Sequence, residues 1–284
     1  MKAPSFAYTK PQSLPEVFDL LERHGTGARV LAGGQSLLAS LNLRLSAPEI
    51  LIDIAGLPGM SGLRVEGPLL RIGALATHRE IEQSPDVARH LPLLAQAVPH
   101  IAHVAIRNVG TFGGSVALAD PAAEHPACAL ALGANFVIAG RRGERRVAAG
   151  DFFRGLYQTA LEPGELLVAG EFPVLSPGYR SAFAELARRQ GDYAIVGLAA
   201  HGRVDGGRYG DVRLAFLGAG DRPLLARKAM AALEGKPFGS ASIGSAQAAL
   251  GDDLDPPADL TTSREAKLHL ARVLTGRALR ALAA

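Results

Sequence analysis

Apolar residues along the first part of the chain follow the spacings of a helix and of short buried strands. Between residues 13 and 24 they recur every three or four positions, and Gly25 follows, which predicts a first helix. Short, mostly apolar runs over 29–32 and 50–54 predict two strands. A helix and two strands within about residues 1–57 indicate one small α/β subdomain.

The middle of the chain continues with shorter strands and helices. Thr77 and Glu80 have the spacing of a capping box, so a helix is predicted to begin there. In chain order, the other predicted elements are strands over 63–66 and 69–72, helices over 92–97 and 121–132, strands over 136–139 and 146–148, and a strand over 166–172. Ser176-Pro177-Gly178 breaks this pattern. We therefore expect a first domain over 1–176, whose second subdomain covers about 58–176.

The last part of the chain has the pattern of a separate sheet-and-helix domain over 177–284. Strand-like stretches over 182–187, 194–204 and 212–218 predict a three-stranded antiparallel sheet. A helix is predicted over 224–233, and Thr262 with Glu265 predicts a second capping box that opens a terminal helix. The residues from 251 to 257 are rich in Asp and Pro and predict the loop before it. The complete pattern is that of an α+β protein.

Two glycine doublets lie in loops that follow apolar runs. The first is in Ala32-Gly33-Gly34-Gln35-Ser36-Leu37 and the second is in Thr111-Phe112-Gly113-Gly114-Ser115. Glycine permits a positive φ and a close approach of backbone N–H groups, and successive free N–H groups bind anions such as phosphate. Further on, Glu124 lies near the start of a predicted helix, where a carboxylate suits the helix dipole and can accept hydrogen bonds from ligand hydroxyls. The two loops together predict one diphosphate ligand held from two sides.

Composition narrows the class of protein. The 284 residues include one cysteine, Cys128, which excludes a disulfide framework and a cysteine-ligated iron–sulfur cluster in this chain. No apolar run reaches the roughly 18 residues that span a bilayer, and the N-terminus lacks the apolar stretch of a signal peptide. The net charge is only +3, tryptophan is absent, and the arginines of 141–146 are expected at a solvated hairpin tip. We expect a cytoplasmic protein that does not bind nucleic acid.

The motifs of the common nucleotide, metal and nucleophile sites do not occur in the sequence. The doublets lack the Gly-x-Gly-x-x-Gly spacing of a Rossmann fold, and there is no Walker sequence. His100 and His103 have no acidic or cysteine partner close by in the sequence. Cys128 lies in an apolar helix, where packing is its expected role. We therefore expect no metal site and no catalytic side chain, so that any chemistry belongs to a bound cofactor.

Three stretches of the sequence together resemble a known family. They are Ala32 to Ser36, Arg107 to Glu124 around the second doublet, and Phe183-x-Glu185-x-x-Arg188-Arg189-x-Gly191-Asp192-Tyr193-Ala194. This combination resembles the FAD-binding medium subunits of molybdenum hydroxylases, which include the carbon monoxide dehydrogenase medium subunit and the flavin domain of xanthine dehydrogenase. The resemblance covers nearly the whole chain. It implies a vanillyl-alcohol-oxidase-like (PCMH-type) FAD-binding domain of two α/β subdomains, followed by the C-terminal sheet-and-helix domain.

The resemblance also implies a set of cofactor-binding residues. The matching positions are Ala32, Gly33, Gly34, Gln35, Ser36, Leu37, Ile101, Thr111, Phe112, Gly113, Gly114, Ser115, Glu124, Asp192 and Tyr193. In the family the two loops wrap the FAD diphosphate, and the position of Glu124 binds the sugar-alcohol portion of the flavin. The position of Ile101 packs against the cofactor, and Tyr193 matches an aromatic residue that lies over the isoalloxazine ring. Ser115 stands where asparagine is common, and Ala184 stands where the xanthine dehydrogenase branch has a basic residue.

The function that the resemblance implies is electron transfer within a larger enzyme. FAD on this chain is expected to take electrons from two 2Fe-2S clusters on a small subunit and to pass them to a quinone, NAD or another acceptor. The substrate is expected to react at a molybdenum-pterin cofactor on a large subunit. Such an enzyme is expected to be a dimer of heterotrimers (a heterohexamer) in the cytoplasm, at most peripheral to the inner face of the membrane. Two alternatives stay open: a self-sufficient flavin oxidase of the same superfamily, and an assembly subunit without cofactor.

Overall fold

The first subdomain is a small parallel sheet with two helices. The structure, a computed structural model, describes residues 2–284. The elements of this subdomain are β1 (Ala7–Thr9), α1 (Leu14–His24), β2 (Ala28–Leu31), α2 (Leu37–Asn42) and β3 (Ile50–Asp53), with the strand order β1-β3-β2. Helix α1 begins at the Ser13 cap and buries Val17 and Phe18, as the apolar spacing predicts. Both strand pairs are parallel, so the first glycine loop follows the carboxyl end of β2.

The second subdomain is a five-stranded antiparallel sheet with several short helices. The sheet order is β4-β5-β10-β6-β7. Its elements are β4 (Leu63–Glu66), β5 (Leu69–Gly73), α3 (His78–Gln83), α4 (Pro85–His90), α5 (Pro92–Ala97), α6 (Val104–Arg107), α7 (Phe112–Leu118), α8 (Glu124–Leu132), β6 (Asn135–Gly140), β7 (Gly143–Ala148), α9 (Ala149–Phe152), the hairpin β8 (Phe153–Gly155) and β9 (Gln158–Thr159), and β10 (Leu166–Pro173). The capping box at Thr77 and Glu80 is present, as predicted.

The C-terminal part is an antiparallel sheet covered by helices. Its elements are β11 (Tyr179–Ala187), β12 (Ala194–Asp205), β13 (Arg208–Leu217), β14 (Leu224–Leu225), α10 (Arg227–Ala231), α11 (Ser240–Asp253) and α12 (Arg264–Ala283). The sheet has four strands in the order β11-β12-β13-β14, instead of the three predicted. The fourth strand is short and comes from the segment predicted as the start of a helix, because Leu224 and Leu225 pair with β13 before the helix begins.

Two helix boundaries also differ from the predictions, because polar side chains compete for backbone N–H groups. Helix α8 begins at Glu124 instead of about 121, since the Asp120 carboxylate accepts a hydrogen bond from Ala122 N at 2.9 Å and holds a turn there. The terminal helix is capped by Ser263, whose hydroxyl oxygen accepts from Ala266 N at 3.2 Å, and not by Thr262. Helix α11 was not predicted, and it reaches into the predicted loop as far as Asp253.

The C-terminal sheet lies between two apolar cores. One face, which includes Ala199, Ala215 and Leu217, is buried together with the helices and the five-stranded sheet of the first domain. The other face packs against α10, α11 and α12. Because the sheet is covered on both sides, the turn between β11 and β12 is held against the first domain, and this turn carries residues 188–193.

The arginines of 141–146 make more ion pairs than a solvated hairpin tip requires. Arg146 lies on β7, and together with Arg71 of β5 it binds the buried Glu171 carboxylate at 2.8–2.9 Å. Arg145 binds Glu165 at 2.6–2.7 Å. The side chain of Arg142 at the turn is exposed, as predicted. The run therefore ties the edge strand β7 across β6 to β10 and the segment before β10, and it leaves its tip in solvent.

Candidate functional site

A cavity of about 680 Å³ lies where both subdomains and the β11–β12 turn meet. Fourteen of the fifteen predicted cofactor-binding residues line it: Ala32, Gly33, Gly34, Gln35, Ser36, Leu37, Ile101, Thr111, Gly113, Gly114, Ser115, Glu124, Asp192 and Tyr193. These residues are separated by up to 161 positions in the sequence (193 minus 32), so tertiary folding alone brings them together. The remaining residue, Phe112, is fully buried outside the cavity lining.

The first glycine loop presents unpaired backbone donors. The five N–H groups from Gly33 to Leu37 donate to no other group within residues 2–284. Gly34 has a φ of 70°, a conformation that favours glycine. The Gln35 side chain folds back, with its Nε2 donating to the Gly33 carbonyl oxygen at 2.9 Å. Successive free amides in this arrangement form a concave site for an anion.

The second glycine loop uses its backbone donors for its own fold. Phe112 N donates to Ala76 O at 2.8 Å, and Gly113 N donates to Ala74 O at 2.8 Å. Gly114 N donates to the Thr111 hydroxyl oxygen at 3.1 Å, and Ser115 N donates to the Thr111 carbonyl oxygen at 3.1 Å. The two doublets therefore differ in their chemistry, although their sequences look alike. The first offers free amides, whereas the second offers a tightly packed wall with hydroxyl side chains.

The glycines of both loops permit close contacts between backbones. A Cβ at Gly33 would lie 2.8 Å from the Cα of Gly110 and nearer still to the Val109 carbonyl oxygen. A Cβ at Gly113 would lie 2.5 Å from the Cβ of Ala74. Real Cβ atoms do not approach other atoms this closely, so any larger residue forces the loops apart. The two loops thus contact each other directly at Gly33, and this contact closes one end of the cavity.

Phe112 supports the second loop from the core. Its ring centroid lies 5.4 Å from that of His125 and 5.8 Å from that of Phe172, both in edge-on arrangements. Gly170 of β10 makes room for it, since a Cβ there would lie 2.7 Å from the Phe112 ring. The side chain of Phe112 therefore positions α7 and does not belong to the cavity lining.

Glu124 is a carboxyl group without a partner at the cavity wall. It begins α8, lines the cavity and is half-buried, and its carboxylate forms no hydrogen bond or ion pair with another residue within residues 2–284. Burial raises the pKa of Glu124 to about 8, and the like charges of Glu185 and Asp120 contribute to this rise. A half-buried carboxyl group that no other side chain engages is suited to bind ligand hydroxyls.

A neutral histidine pair also reaches the cavity, and no spacing in the sequence indicates it. His78 lines the cavity, and its Nδ1 lies 2.9 Å from Nε2 of His125. Burial lowers the pKa of His78 to about 4, with a contribution from Arg107, and burial likewise lowers the pKa of His125. Both rings are therefore uncharged at neutral pH. The two residues are 47 positions apart, so only the fold reveals the pair.

Arg107 holds the loop that carries Ile101. This buried guanidinium group donates from Nη1 to the carbonyl oxygens of Ile101 and Ala102 at 3.0 Å, and it binds the Glu82 carboxylate at 3.2 Å. Ala102 has a φ of 43°, which is unusual for alanine and needs such support. The sequence motif includes Arg107, but its positioning role becomes visible only in the structure.

The β11–β12 turn brings Asp192 and Tyr193 to the cavity mouth. Tyr193 is 72% exposed although its ring lines the cavity. Asp192 Oδ1 accepts a hydrogen bond from Tyr193 N at 3.0 Å, and its other oxygen pairs with Arg189 at 3.3 Å. Gly191 has a φ of 76° and packs against the Ala102 carbonyl group. An exposed aromatic ring on a turn can cover a planar ligand and move away from it.

None of the described helices is long and apolar enough to cross a membrane. No group of three or more His, Cys, Asp or Glu side chains in the described part of the chain is arranged to hold a metal ion.

Comparison with known proteins shows the family to which this fold belongs. A family model described as "FAD binding domain in molybdopterin dehydrogenase" matches residues 4–175, and one described as "CO dehydrogenase flavoprotein C-terminal domain" matches residues 181–282. The chain belongs to the family of FAD-binding medium subunits of molybdenum hydroxylases, which are oxidoreductases. The predicted family, fold class and FAD cofactor are confirmed.

Individual relatives match over nearly their whole length. The chain is 37% identical to the carbon monoxide dehydrogenase medium chain of Hydrogenophaga pseudoflava, over 99% of this chain and 98% of that one. It is 30% identical to a putative xanthine dehydrogenase FAD-binding subunit of Escherichia coli, over 95% and 93% of the two chains. A solved structure of the Hydrogenophaga pseudoflava carbon monoxide dehydrogenase superposes with a TM-score of 0.97, at 39% identity, and covers 99% of this chain and 98% of that one.

Replacement of Gly33 by alanine is expected to destabilise the protein. The added Cβ collides with the Val109–Gly110 backbone, and overpacking of this kind costs about 1–3 kcal/mol. Gly150→Ala is the matched control, because a Cβ there meets open space within a helix. Urea denaturation measures both free energies of unfolding. A Gly33→Ala protein as stable as the control contradicts the proposed contact between the loops.

Replacement of Phe112 by leucine is expected to lower stability without weakening FAD binding. The smaller side chain leaves space next to His125 and Phe172, which costs about 1–2 kcal/mol. Phe238→Leu, at an exposed phenylalanine, is the control. Thermal unfolding and FAD fluorescence titration measure the two properties separately. If Phe112→Leu weakens FAD binding by more than it lowers the stability of the protein, Phe112 does not have a purely packing role.

Glu124 is expected to make the stability of the protein depend on pH. Its folded pKa of about 8 lies above the value of about 4.3 in unfolded chains, so the folded state holds an extra proton between these values. The protonated carboxyl group makes its full contribution to the free energy of unfolding at low pH, and this contribution is lost as the pH rises through 8. When the pH is raised from 5 to 9, the free energy of unfolding of Glu124→Gln should therefore increase by at least about 1 kcal/mol relative to that of the unsubstituted protein. Urea denaturation at both pH values tests this, and equal pH dependence of the two proteins rejects it.

Proposed function

We propose that this chain binds one FAD non-covalently in the 680 Å³ cavity and transfers electrons between partner subunits and an external acceptor. The observation that carries the proposal is the row of five unpaired N–H groups from Gly33 to Leu37. Unpaired donors at a cavity wall favour an anionic ligand, and the diphosphate of FAD is such a group. The family to which the chain belongs supports FAD over other diphosphates.

The two glycine loops have separate roles in this proposal. The amides of the first loop hold the diphosphate oxygens. The second loop forms the opposite wall, with Gly113 and Gly114 permitting close approach and the Ser115 hydroxyl available as a further donor. The resemblance implies that both loops bind the diphosphate. In this proposal the first loop does so with its amides, and the second loop does so with its shape and its hydroxyl groups.

The remaining predicted residues are assigned to the flavin portion. The partner-free carboxyl group of Glu124 binds hydroxyls of the sugar-alcohol chain. Ile101, held by Arg107, provides an apolar surface, and the Tyr193 ring covers the isoalloxazine plane next to Asp192. FAD supplies the redox chemistry when it is bound, and these side chains orient it and limit access of water.

The proposed partners are a small subunit with 2Fe-2S clusters and a large subunit with the molybdenum-pterin cofactor. The chain has a single cysteine, so a cysteine-ligated cluster must lie on another chain. Relatives named as medium chains or as subunits of dehydrogenase complexes support this division. We propose a dimer of heterotrimers in the cytoplasm, with a quinone, NAD or another molecule as acceptor. Within the chain, we propose domains over 1–176 and 177–284.

Addition of FAD to the purified chain tests the central proposal. Bound flavin should remain with the protein after gel filtration, and its absorbance bands should show it. Glu124→Leu should weaken binding by about tenfold to a hundredfold, since hydrogen bonds to a charged or buried acidic group contribute about 1.5–3 kcal/mol. Glu124→Gln should lose less, because the amide still offers an acceptor.

Controls separate this function from its alternatives. Glu144→Leu, on the exposed hairpin next to Arg145, should leave FAD binding unchanged. Absence of flavin with and without partner chains supports the assembly subunit and rejects the proposal. Oxidation of a substrate by the isolated chain supports the self-sufficient oxidase instead.

A further inference from the structure

The histidine pair at the large cavity has one ring nitrogen that the protein encloses and one that it leaves open. Nδ1 of His78 lies 2.9 Å from Nε2 of His125, so one of these two atoms donates to the other. Nδ1 of His125 is buried without a partner within residues 2–284. Nε2 of His78 also has no partner among the described residues, but it is not enclosed, since His78 lines the cavity. This open nitrogen is therefore free to meet a ligand.

Two arrangements of hydrogen atoms satisfy the short contact within the pair. Burial lowers the pKa of both rings, so each ring is neutral and carries one N–H group. If His78 donates from Nδ1, the hydrogen of His125 lies on the enclosed Nδ1 and has no acceptor. If His125 donates from Nε2, its Nδ1 is bare, and the hydrogen of His78 lies on Nε2 at the cavity. Buried N–H groups without an acceptor are rare in proteins, so the second arrangement is favoured.

Contacts with Gly110 place the open nitrogen at the end of the cavity where the two glycine loops meet. The His78 amide donates to the Gly110 carbonyl oxygen at 2.9 Å, and Thr77 forms an antiparallel bridge with Thr111. A Cβ at Gly110 would lie 2.9 Å from Nε2 of His78. The same glycine contacts the first loop, because a Cβ at Gly33 would lie 2.8 Å from its Cα. Nε2 of His78 therefore lies near the loop that carries the free amides.

A neutral side-chain donor suits this end of the cavity. His78 is only 5% exposed, so an imidazolium at this position would lose most of its hydration. Arg107, whose charge contributes to the lowered pKa of His78, uses its own donors for the Glu82 carboxylate and for the carbonyl oxygens of Ile101 and Ala102. The N–H group of His78 therefore adds a donor to the amides of the first loop without adding a buried charge.

We propose that His78 donates a hydrogen bond from Nε2 to an oxygen of the diphosphate held by the first glycine loop, and that His125 is a positioning residue that keeps the hydrogen of His78 on this nitrogen. The inference rests on the proposed function, since the diphosphate is part of the bound FAD. The first subdomain then supplies backbone donors, and the second subdomain supplies a side-chain donor to the same group. No proton or electron is transferred in this role, so the pair acts by binding and orientation alone.

Nitrogen-15 NMR of the full chain with labelled histidine tests the arrangement of hydrogen atoms without a substitution. The chemical shift of an imidazole nitrogen differs widely between its protonated and unprotonated forms. At neutral pH and without FAD, both His78 and His125 should have a protonated Nε2 and an unprotonated Nδ1. Addition of FAD should move the Nε2 signal of His78 and leave its Nδ1 unprotonated. A protonated Nδ1 in either residue overturns the proposal.

FAD titration of matched variants measures what the donor contributes to binding. His78→Phe keeps a planar ring without the donor, so FAD affinity should fall by about tenfold to a hundredfold. His78→Gln keeps an N–H group near the place of Nε2 and should recover most of this affinity. His269→Phe, at an exposed histidine of α12, is the control and should bind FAD like the unsubstituted chain. Unchanged affinity in folded His78→Phe overturns the proposal, and the NMR test decides it if this variant does not fold.

Inorganic pyrophosphate separates this proposal from the proposed function of the chain. It offers diphosphate oxygens without the flavin or the adenosine of FAD. If pyrophosphate moves the Nε2 signal of His78 although FAD does not bind, the proposed function is wrong and the donor role of His78 is supported. If FAD binds and leaves this signal in place, the donor role is wrong and the proposed function stands. If neither FAD nor pyrophosphate moves the signal, the donor role is also wrong.

Discussion

The contact between Gly33 and the Val109–Gly110 backbone is the constraint on which the cavity depends. It joins the loop after a parallel strand of the first subdomain to the segment before α7 of the second. The backbones are so close that no side chain fits at residue 33. Because the second loop is held by hydrogen bonds to Ala74 and Ala76, this contact also fixes where the amides of the first loop point. The position of the diphosphate site therefore follows from packing between two subdomains.

The two glycine doublets show that similar sequences can meet different physical needs. In the first loop glycine allows a positive φ and leaves the amides free for a ligand. In the second loop the amides are already paired, and Gly113 allows α7 to lie against β5 and the turn that follows it. A ligand held between them meets donors on one side and a rigid wall on the other. Phe112, fully buried beneath the second loop, makes that wall rigid.

Burial controls the charge of the groups around the cavity. His78 and His125 are kept neutral because an imidazolium in this region would lose its hydration. The same desolvation favours the protonated form of Glu124. Two ion pairs, Arg107 with Glu82 and Arg146 with Glu171, fasten a loop at the cavity and strands of the five-stranded sheet. The cavity thus combines a few fixed donors with side chains whose protons are sensitive to charge.

From the sequence alone, the family, the elements with clear apolar periodicity and the two glycine loops could be recognised, because spacing and motifs leave a direct trace in the chain. Other lining residues, such as Ile101 and Tyr193, could be assigned only through the family resemblance. The sequence did not determine the start of α8, the cap of α12 or the strand β14, since side-chain hydrogen bonds and strand pairing compete there with local preference. Which amides are free, which glycines serve close packing and how His78 meets His125 became visible only in the folded chain. Those properties depend on contacts between residues far apart in the chain, and no local pattern encodes them.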